Sequence, residues 1–363
     1  MKPGRDLWGV PGTIDGAQWT AVATPGIWIL GALALLAGIF RVRDYLRLRH
    51  IPGPWLASWT DFWLIRSQYG GRMNLDLDEA CRKYGKVVRV APNWVVCADA
   101  EEIRKIWAVR SLWRRSVWYR GLRVDPRRDS TFTTVDDQLH TALRSKLAPG
   151  YSGKDVDNVH KLIDEQIASF ISLLESKYLS SDTSGTGGDG GEPAVYRPVD
   201  IARKIQYLTL DIISSLAFGQ PLGNLAADDD ALGYIHTMES NMVVMMTLAL
   251  CPQIFLPLQS RLLSWMVPNV RGIAGIGERW IEASPDRWRL MDQTVMMDFK
   301  TSSRYECLGK PIALIELNKT YVELLRRFDL TIVDPTNPWK SFNAAFFIQS
   351  DLNVKITRRK NPV

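Results

Sequence analysis

The chain has 363 residues, 46% hydrophobic and 23% charged, which excludes wholesale disorder and a collagen-like fibre and leaves room for one large domain or several. Its four cysteines, Cys81, Cys97, Cys251 and Cys307, make no CxxC pair, which argues against a disulfide scaffold and a zinc ribbon. A net charge of +6 admits an anionic membrane or nucleic acid as partner.

Residues 1–20 form a leading tail whose cations are Lys2 and Arg5. Residues 21–40 read AVATPGIWILGALALLAGIF, with no charge among them. At about 1.5 Å per residue that run is long enough to cross a hydrocarbon core of about 30 Å. Residues 41–56 open with Arg41, Arg43, Arg47 and Arg49, so the positive-inside rule puts the tail in the lumen and everything after Phe40 in the cytosol. A cleaved signal peptide is the competing reading, but the run starts late and lacks a small-x-small site. The arginines suit lipid headgroups, and no zinc-finger, basic-zipper or RNP pattern is present, so no nucleic acid is expected. Ile51-Pro52-Gly53-Pro54-Trp55 reads as a stiff elbow, or as an ordinary linker.

In the body, 57–363, Leu75 to Tyr84 predicts a helix ended by Gly85. Lys86 to Val90 and Trp94 to Cys97 predict strands joined by a turn at Ala91-Pro92-Asn93. Ala100 to Ala108 is helical, Arg110 to Asp129 is a loop, and Leu139 to Leu147 is a helix stopped by Pro149-Gly150. In Asp155 to Tyr178, apolar residues recur at steps of three and four, an amphipathic helix. Ser180 to Pro193 is a low-complexity surface loop, and Ile201 to Phe218 a helix capped by Gly219. Asp228 to Met266 is helical and Met-rich, fitting an adaptable pocket or ordinary core. Ile312 to Phe328 is a helix opened by Pro311, followed by strands at Leu330 to Val333, Ala345 to Ile348 and Val354 to Ile356.

The chemistry concentrates in FKTSSRYECLGKPIALIE, Phe299 to Glu316. Cys307 stands just before a helix, where backbone N–H groups and the dipole favour a thiolate, with Arg304 and Lys310 acting the same way. Gly309 permits a tight backbone, and Ala313 lets a group approach closely. A cysteine in this position is equally a small buried residue. His140 and Arg144 lie one helical turn apart, on one face, where both reach one carboxylate or both meet solvent.

CLGKPIALIELNK resembles the ligand loop and following helix of the cytochrome P-450 superfamily, the haem-thiolate monooxygenases, and is most similar to fungal membrane-bound members of the pisatin-demethylase-like type. The family pattern F-x-x-G-x-R-x-C-x-G-x-x-x-A is matched in type by Phe299, Arg304, Cys307, Gly309 and Ala313, with Phe299 and Arg304 one position further upstream. His140-Thr-Ala-Leu-Arg144 resembles the H/W-x-x-x-R pair that holds the haem propionates, and Glu278-Arg279-Trp280 resembles the P-E-R-W motif. The resemblance implies a mainly α fold with small β-sheets, a haem domain behind one N-terminal transmembrane helix. It implies haem b held by the Cys307 thiolate and insertion of one oxygen atom into an apolar small-molecule substrate. It also implies electrons from an NADPH-dependent reductase at the endoplasmic reticulum membrane, in fungal secondary metabolism.

Three departures stand against this. The glycine upstream of the cysteine is replaced by Thr301-Ser302-Ser303. The oxygen-side motif A/G-G-x-D/E-T-T is missing, and no E-x-x-R helix stands between Arg144 and Cys307, where the resemblance expects one. VPNVRGIAGIG and ERWIEASPDRW abut, which reads as an internal deletion near 277/278. The alternative function is therefore a catalytically inactive, membrane-anchored remnant. A membrane-tethered zinc or redox protein is a third possibility, needing more ligands near Cys307.

Overall fold

The computed structural model describes residues 16–108, 111–123, 129–152, 158–181, 194–252 and 307–359. The chain divides into two compact units, residues 1–63 with 80–96, and residues 64–79 with 97–363.

The first unit is built around one arginine. Helix α1 (Gly16–Leu48) leads into α2 (Trp55–Trp59), and the hairpin of β1 (Val87–Ala91) and β2 (Trp94–Cys97) follows, as the turn at Ala91-Pro92-Asn93 predicts. Arg89 is buried, and its guanidinium donates to the carbonyls of Asp44 at 3.1 Å, Tyr45 at 3.3 Å and Pro92 at 2.8 Å. Its backbone N–H holds the Pro52 carbonyl at 2.9 Å, so the proline elbow is pinned to β1 rather than hanging as a linker. Gly53 is required there, because a Cβ would collide with the Arg89 carbonyl oxygen. Part of the basic flank is engaged inside this unit: Arg41 pairs with Asp61 at 3.1 Å, and Arg47 donates to Asn93 at 2.6 Å. The apolar run 21–40 lies within α1, but no helix among the described residues is long and apolar enough to cross a membrane.

The second unit has a helical core. α3 (Phe62–Tyr69) and α4 (Met73–Tyr84) straddle the division, with Gly85 at φ 110 ending α4 as expected. α5 (Ala100–Trp107) follows, its first turn capped by the Asp99 carboxylate. The segment 110–129, expected as loop, contains a 3₁₀ helix at Val117–Leu122, capped by Ser116. α6 (Asp137–Ser152) does not stop before Pro149. Proline removes one intrahelical N–H there, and the helix nonetheless runs three residues further, to Ser152. α7 (Val159–Leu173) starts later than the apolar stripe predicts, after Asn158 at φ 63, and its last turn widens into a π turn at Leu174–Tyr178.

β3 (Leu179–Ser180) and β4 (Val199–Asp200) precede α8 (Ile201–Phe218), which ends at Gly219 as predicted. The Asp228 helix start is corrected. α9 (Asn224–Ala227) ends at Asp228, which is left-handed at φ 58, and α10 (Tyr234–Ala249) begins after Gly233. The Asp228 carboxylate accepts from Lys204 at 2.6 Å and Tyr178 at 2.7 Å, a use that takes the residue out of regular helix. Residues 253–266 of that expected helix, and 182–193 of the expected surface loop, lie outside the described residues.

α11 (Lys310–Arg327) carries Pro311 in its first turn. It runs into β5 (Phe328–Ile332), then β6 (Lys340–Asn343), β7 (Phe347–Ser350) and β8 (Asn353–Arg358). Ala345, expected in a strand, sits instead in the β6–β7 turn at φ 69. β8 is the centre of the larger sheet: Ile356 pairs with Leu179 in parallel and with Leu330 antiparallel, and Val354 pairs with Val199. The sheet closes one side of a core made by Ile163, Ile167 and Phe170 of α7, Leu208 and Ile212 of α8, and Leu324 of α11. The described fold is mainly helical with small sheets, as the sequence implies.

Candidate haem-binding site

Cys307 is exposed, immediately ahead of α11, and its carbonyl accepts from the Lys310 N–H at 3.4 Å. Gly309 has φ −76, in the ordinary right-handed region, and a Cβ there would meet Cys307 Sγ at 3.9 Å, an ordinary contact. The expectation that Gly309 is needed for its backbone freedom is therefore corrected. Ala313 lies exposed one turn on, with its N–H bonded to the Gly309 carbonyl at 2.9 Å. Arg304, Glu278, Arg279 and Trp280 lie outside the described residues, as do Thr301 to Ser303 and the 277/278 junction.

α11 packs against α6 and α7. The helix that follows the cysteine is thus set beside the helix that carries His140 and Arg144. His140 is buried, and its backbone N–H is held by the Asp136 carbonyl at 2.9 Å. Arg144, one turn further, is half-buried. The solvated-face reading of this pair does not hold for His140.

Sequence reasoning missed Arg115, which the structure puts beside His140. Its Nη1 donates to the carbonyls of Thr131 at 2.9 Å, Phe132 at 3.0 Å and Thr134 at 3.3 Å. Its guanidinium carbon lies 4.9 Å from the Tyr119 ring centre, a cation–π contact. Its Nη2 stands 3.4 Å from His140 Nε2. The only sequence signal was an arginine in a stretch rich in Arg and Trp, with no periodicity to place it.

The donor set fits an anionic group. Trp118 Nε1 is a buried donor with no acceptor in reach, and His140 Nδ1 and Arg144 Nη2 are also buried nitrogens. A carboxylate at the edge of a haem would satisfy the Trp118 donor, and an exposed cysteine before a helix is a suitable haem ligand. Among the described residues, no group of three His, Cys, Asp or Glu could hold a metal ion, so the zinc reading has no ligand cluster there. Glu316, on the face of α11 turned inward with Ile312 and Thr320, is pushed up to about 7 by burial.

No family model matches the chain. The chain is 37% identical over 229 residues to cytochrome P-450 monooxygenase ABA1 of Pyricularia oryzae, covering 61% of this chain and 43% of that protein. It is 29% identical to cytochrome P-450 monooxygenase abl1 of Leptosphaeria maculans, over 66% of this chain and 40% of that protein. The chain therefore spans less than half the length of these curated relatives. It is also 36% identical to inactive cytochrome P-450 monooxygenase lolP2 of Epichloe uncinata, over 43% of this chain and 85% of that protein.

Proposed function

The chain belongs to the cytochrome P-450 superfamily, and we propose that it acts as a haem-thiolate monooxygenase, inserting one oxygen atom from O2 into an apolar small molecule of fungal secondary metabolism. The cofactor of the superfamily is haem. Bound through a thiolate, haem supplies an iron that activates O2 for insertion into a C–H bond. Cys307 is the residue for that ligand. His140 and Arg144 would hold the carboxylates at the haem edge, Arg304 would add a cation, and Gly309 and Ala313 would keep bulk away from it. The burial of His140 would keep water from such a hydrogen bond.

The partner reading follows the sequence: an NADPH-dependent reductase supplies electrons. Residues 21–40 anchor the protein once in the endoplasmic reticulum membrane, with the catalytic domain in the cytosol and Arg43 and Arg49 facing lipid headgroups. Within the superfamily the protein is assigned to the pisatin-demethylase-like type.

The packing of α11 against α6 carries this reading, because it puts the Cys307 helix and the His140–Arg144 helix side by side. The test is the reduced carbon monoxide spectrum of the full chain after loading with haemin. A strongly red-shifted Soret band is expected, and Cys307→Ala should abolish it. A band that survives Cys307→Ala would remove Cys307 as the ligand; no haem uptake at all would remove the enzyme reading for this chain.

A second reading is supported by the similarity to a protein named as inactive and by the absence of both motifs between Arg144 and Cys307. In that reading an internal deletion near 277/278 has left an anchored remnant without oxygen chemistry. The genomic sequence around the codons for Gly277 and Glu278 separates the two. An intact exon there restores the enzyme, and contiguous coding sequence supports the remnant.

A further inference from the structure

The two nitrogens of a neutral imidazole are not equivalent: one donates and the other accepts. The family position held here by His140 takes histidine or tryptophan. An indole donates from one fixed atom, whereas a histidine donates from whichever nitrogen carries the proton. A histidine in this place therefore needs its proton position set by a neighbour.

Arg115 is placed to set it. Its Nη2 faces His140 Nε2 at 3.4 Å. An arginine has five donor hydrogens and no acceptor, so the nitrogen that faces it must offer a lone pair. An imidazole protonated on both nitrogens would point a hydrogen at another hydrogen there. Arg115 cannot easily turn away, because three carbonyls, those of Thr131, Phe132 and Thr134, hold its other terminal nitrogen, and Tyr119 stacks on its face. Those carbonyls belong to a turn that is itself braced: the Thr133 hydroxyl oxygen accepts from the Ser130 N–H at 2.8 Å, and the Thr134 N–H bonds the Ser130 carbonyl at 3.0 Å. His140 is only 2% exposed, so water is not there to exchange one tautomer for the other.

We propose that Arg115 is a positioning residue that locks His140 as its Nδ1–H tautomer, so that the ring presents a single buried donor to a carboxylate at the edge of the haem. The haem half of this statement rests on the function proposed above; the tautomer half does not.

The experiment starts with the haem-free full chain in detergent, labelled with ¹⁵N-histidine. A long-range ¹H–¹⁵N correlation spectrum distinguishes protonated from bare ring nitrogens, and the signals lost in His140→Gln identify the ring. A protonated Nδ1 and a bare Nε2 are expected. A protonated Nε2, or an imidazolium, would overturn the lock. Arg115→Gln offers Nε2 an amide oxygen that can accept, so the tautomers should mix, and affinity for haemin, read by absorbance titration, should fall about tenfold. Arg115→Lys, which can only donate, should keep the tautomer and stay within about threefold in affinity, which separates the lock from a loss of folding. An unchanged tautomer in Arg115→Gln would overturn Arg115 as its cause. A changed tautomer with unchanged haemin affinity would overturn the haem half. A chain that shows the Nδ1–H ring but takes up no haemin would overturn the proposed function and leave the lock standing.

Discussion

α8 and α11 are both 18 residues long, yet α8 buries eight of its residues and α11 only three. α8 packs against α7, α9 and the β7 and β8 strands. α11 rests on α6, α7 and β5, and turns Leu314, Leu317, Tyr321 and Leu325 outward, each between 48% and 61% exposed. Those four recur at steps of three and four, the spacing of a face made for burial. The sequence of α11 is written for partners on two sides, and the described fold supplies one. The remnant reading, with an internal deletion near 277/278, would leave such a side uncovered.

Each helix also holds one inward carboxylate, and their situations are opposite. Asp211 of α8 accepts three backbone N–H groups, from Gly223 at 3.0 Å, Asn224 at 3.1 Å and Leu225 at 2.9 Å. It is the cap of the loop that opens α9. Glu316 of α11 has a buried oxygen, Oε1, with no hydrogen-bond partner, and so does Thr320, one turn on. Asp211 is satisfied where Glu316 is not, although Gln206 Oε1 of α8 also lacks a partner.

Of the two carboxylates, the larger expected effect breaks the satisfied side. Asp211→Ala strands three N–H donors, those of buried Asn224 and Leu225 and half-buried Gly223, and at about 1 to 3 kcal/mol each, partly offset by water entry, the loss should be about 4 kcal/mol. The urea unfolding midpoint of the full chain reads it. A loss under about 1 kcal/mol would mean that the loop keeps its shape without the carboxylate.

Glu316→Gln sharpens the other side. Burial raises the carboxyl from 4.5 to about 7. The folded state therefore prefers the protonated form. The stability this group contributes is fully present below about pH 4.5 and is lost as pH rises through about 7, a loss of at most about 3 kcal/mol. Glu316→Gln removes the charge that forms, so the variant should exceed the parent in stability at pH 8 and match it near pH 4.5. Equal midpoints at both pH values would show that a partner already meets Glu316 in solution.

Much of this contrast was legible in the sequence, and the limit is physical. The end of α8 at Gly219, the end of α4 at Gly85 and the β1–β2 turn were readable because each depends on residues adjacent in the chain. So was Pro311 at the start of α11. Arg115, Asp211 and Asp228 were not, because their roles depend on carbonyls, N–H groups or side chains that only the fold brings near. Lys204 meets Asp228 across 24 positions, and Arg115 meets His140 across 25. His140 and Arg144 were readable as a pair by their spacing, but the burial of His140 comes from α6 being covered, which no spacing shows.

The smallest expected effect on stability tests the exposed face directly. Leu317→Lys with Tyr321→Lys places two charges where both side chains are already more than half exposed, at 51% and 61%. Removing exposed apolar surface costs the folded state little, so the unfolding midpoint should stay within about 0.5 kcal/mol of the parent. Self-association should fall, because an apolar stripe of this kind recruits other surfaces. Light scattering of the full chain over a concentration series reads that change. The same exchange in α8, Leu208→Lys, puts a charge at a fully buried position and should prevent folding. If the α11 pair destabilises the chain as Leu208→Lys does, the outward face is covered in solution by part of this same chain, and the two helices are alike after all.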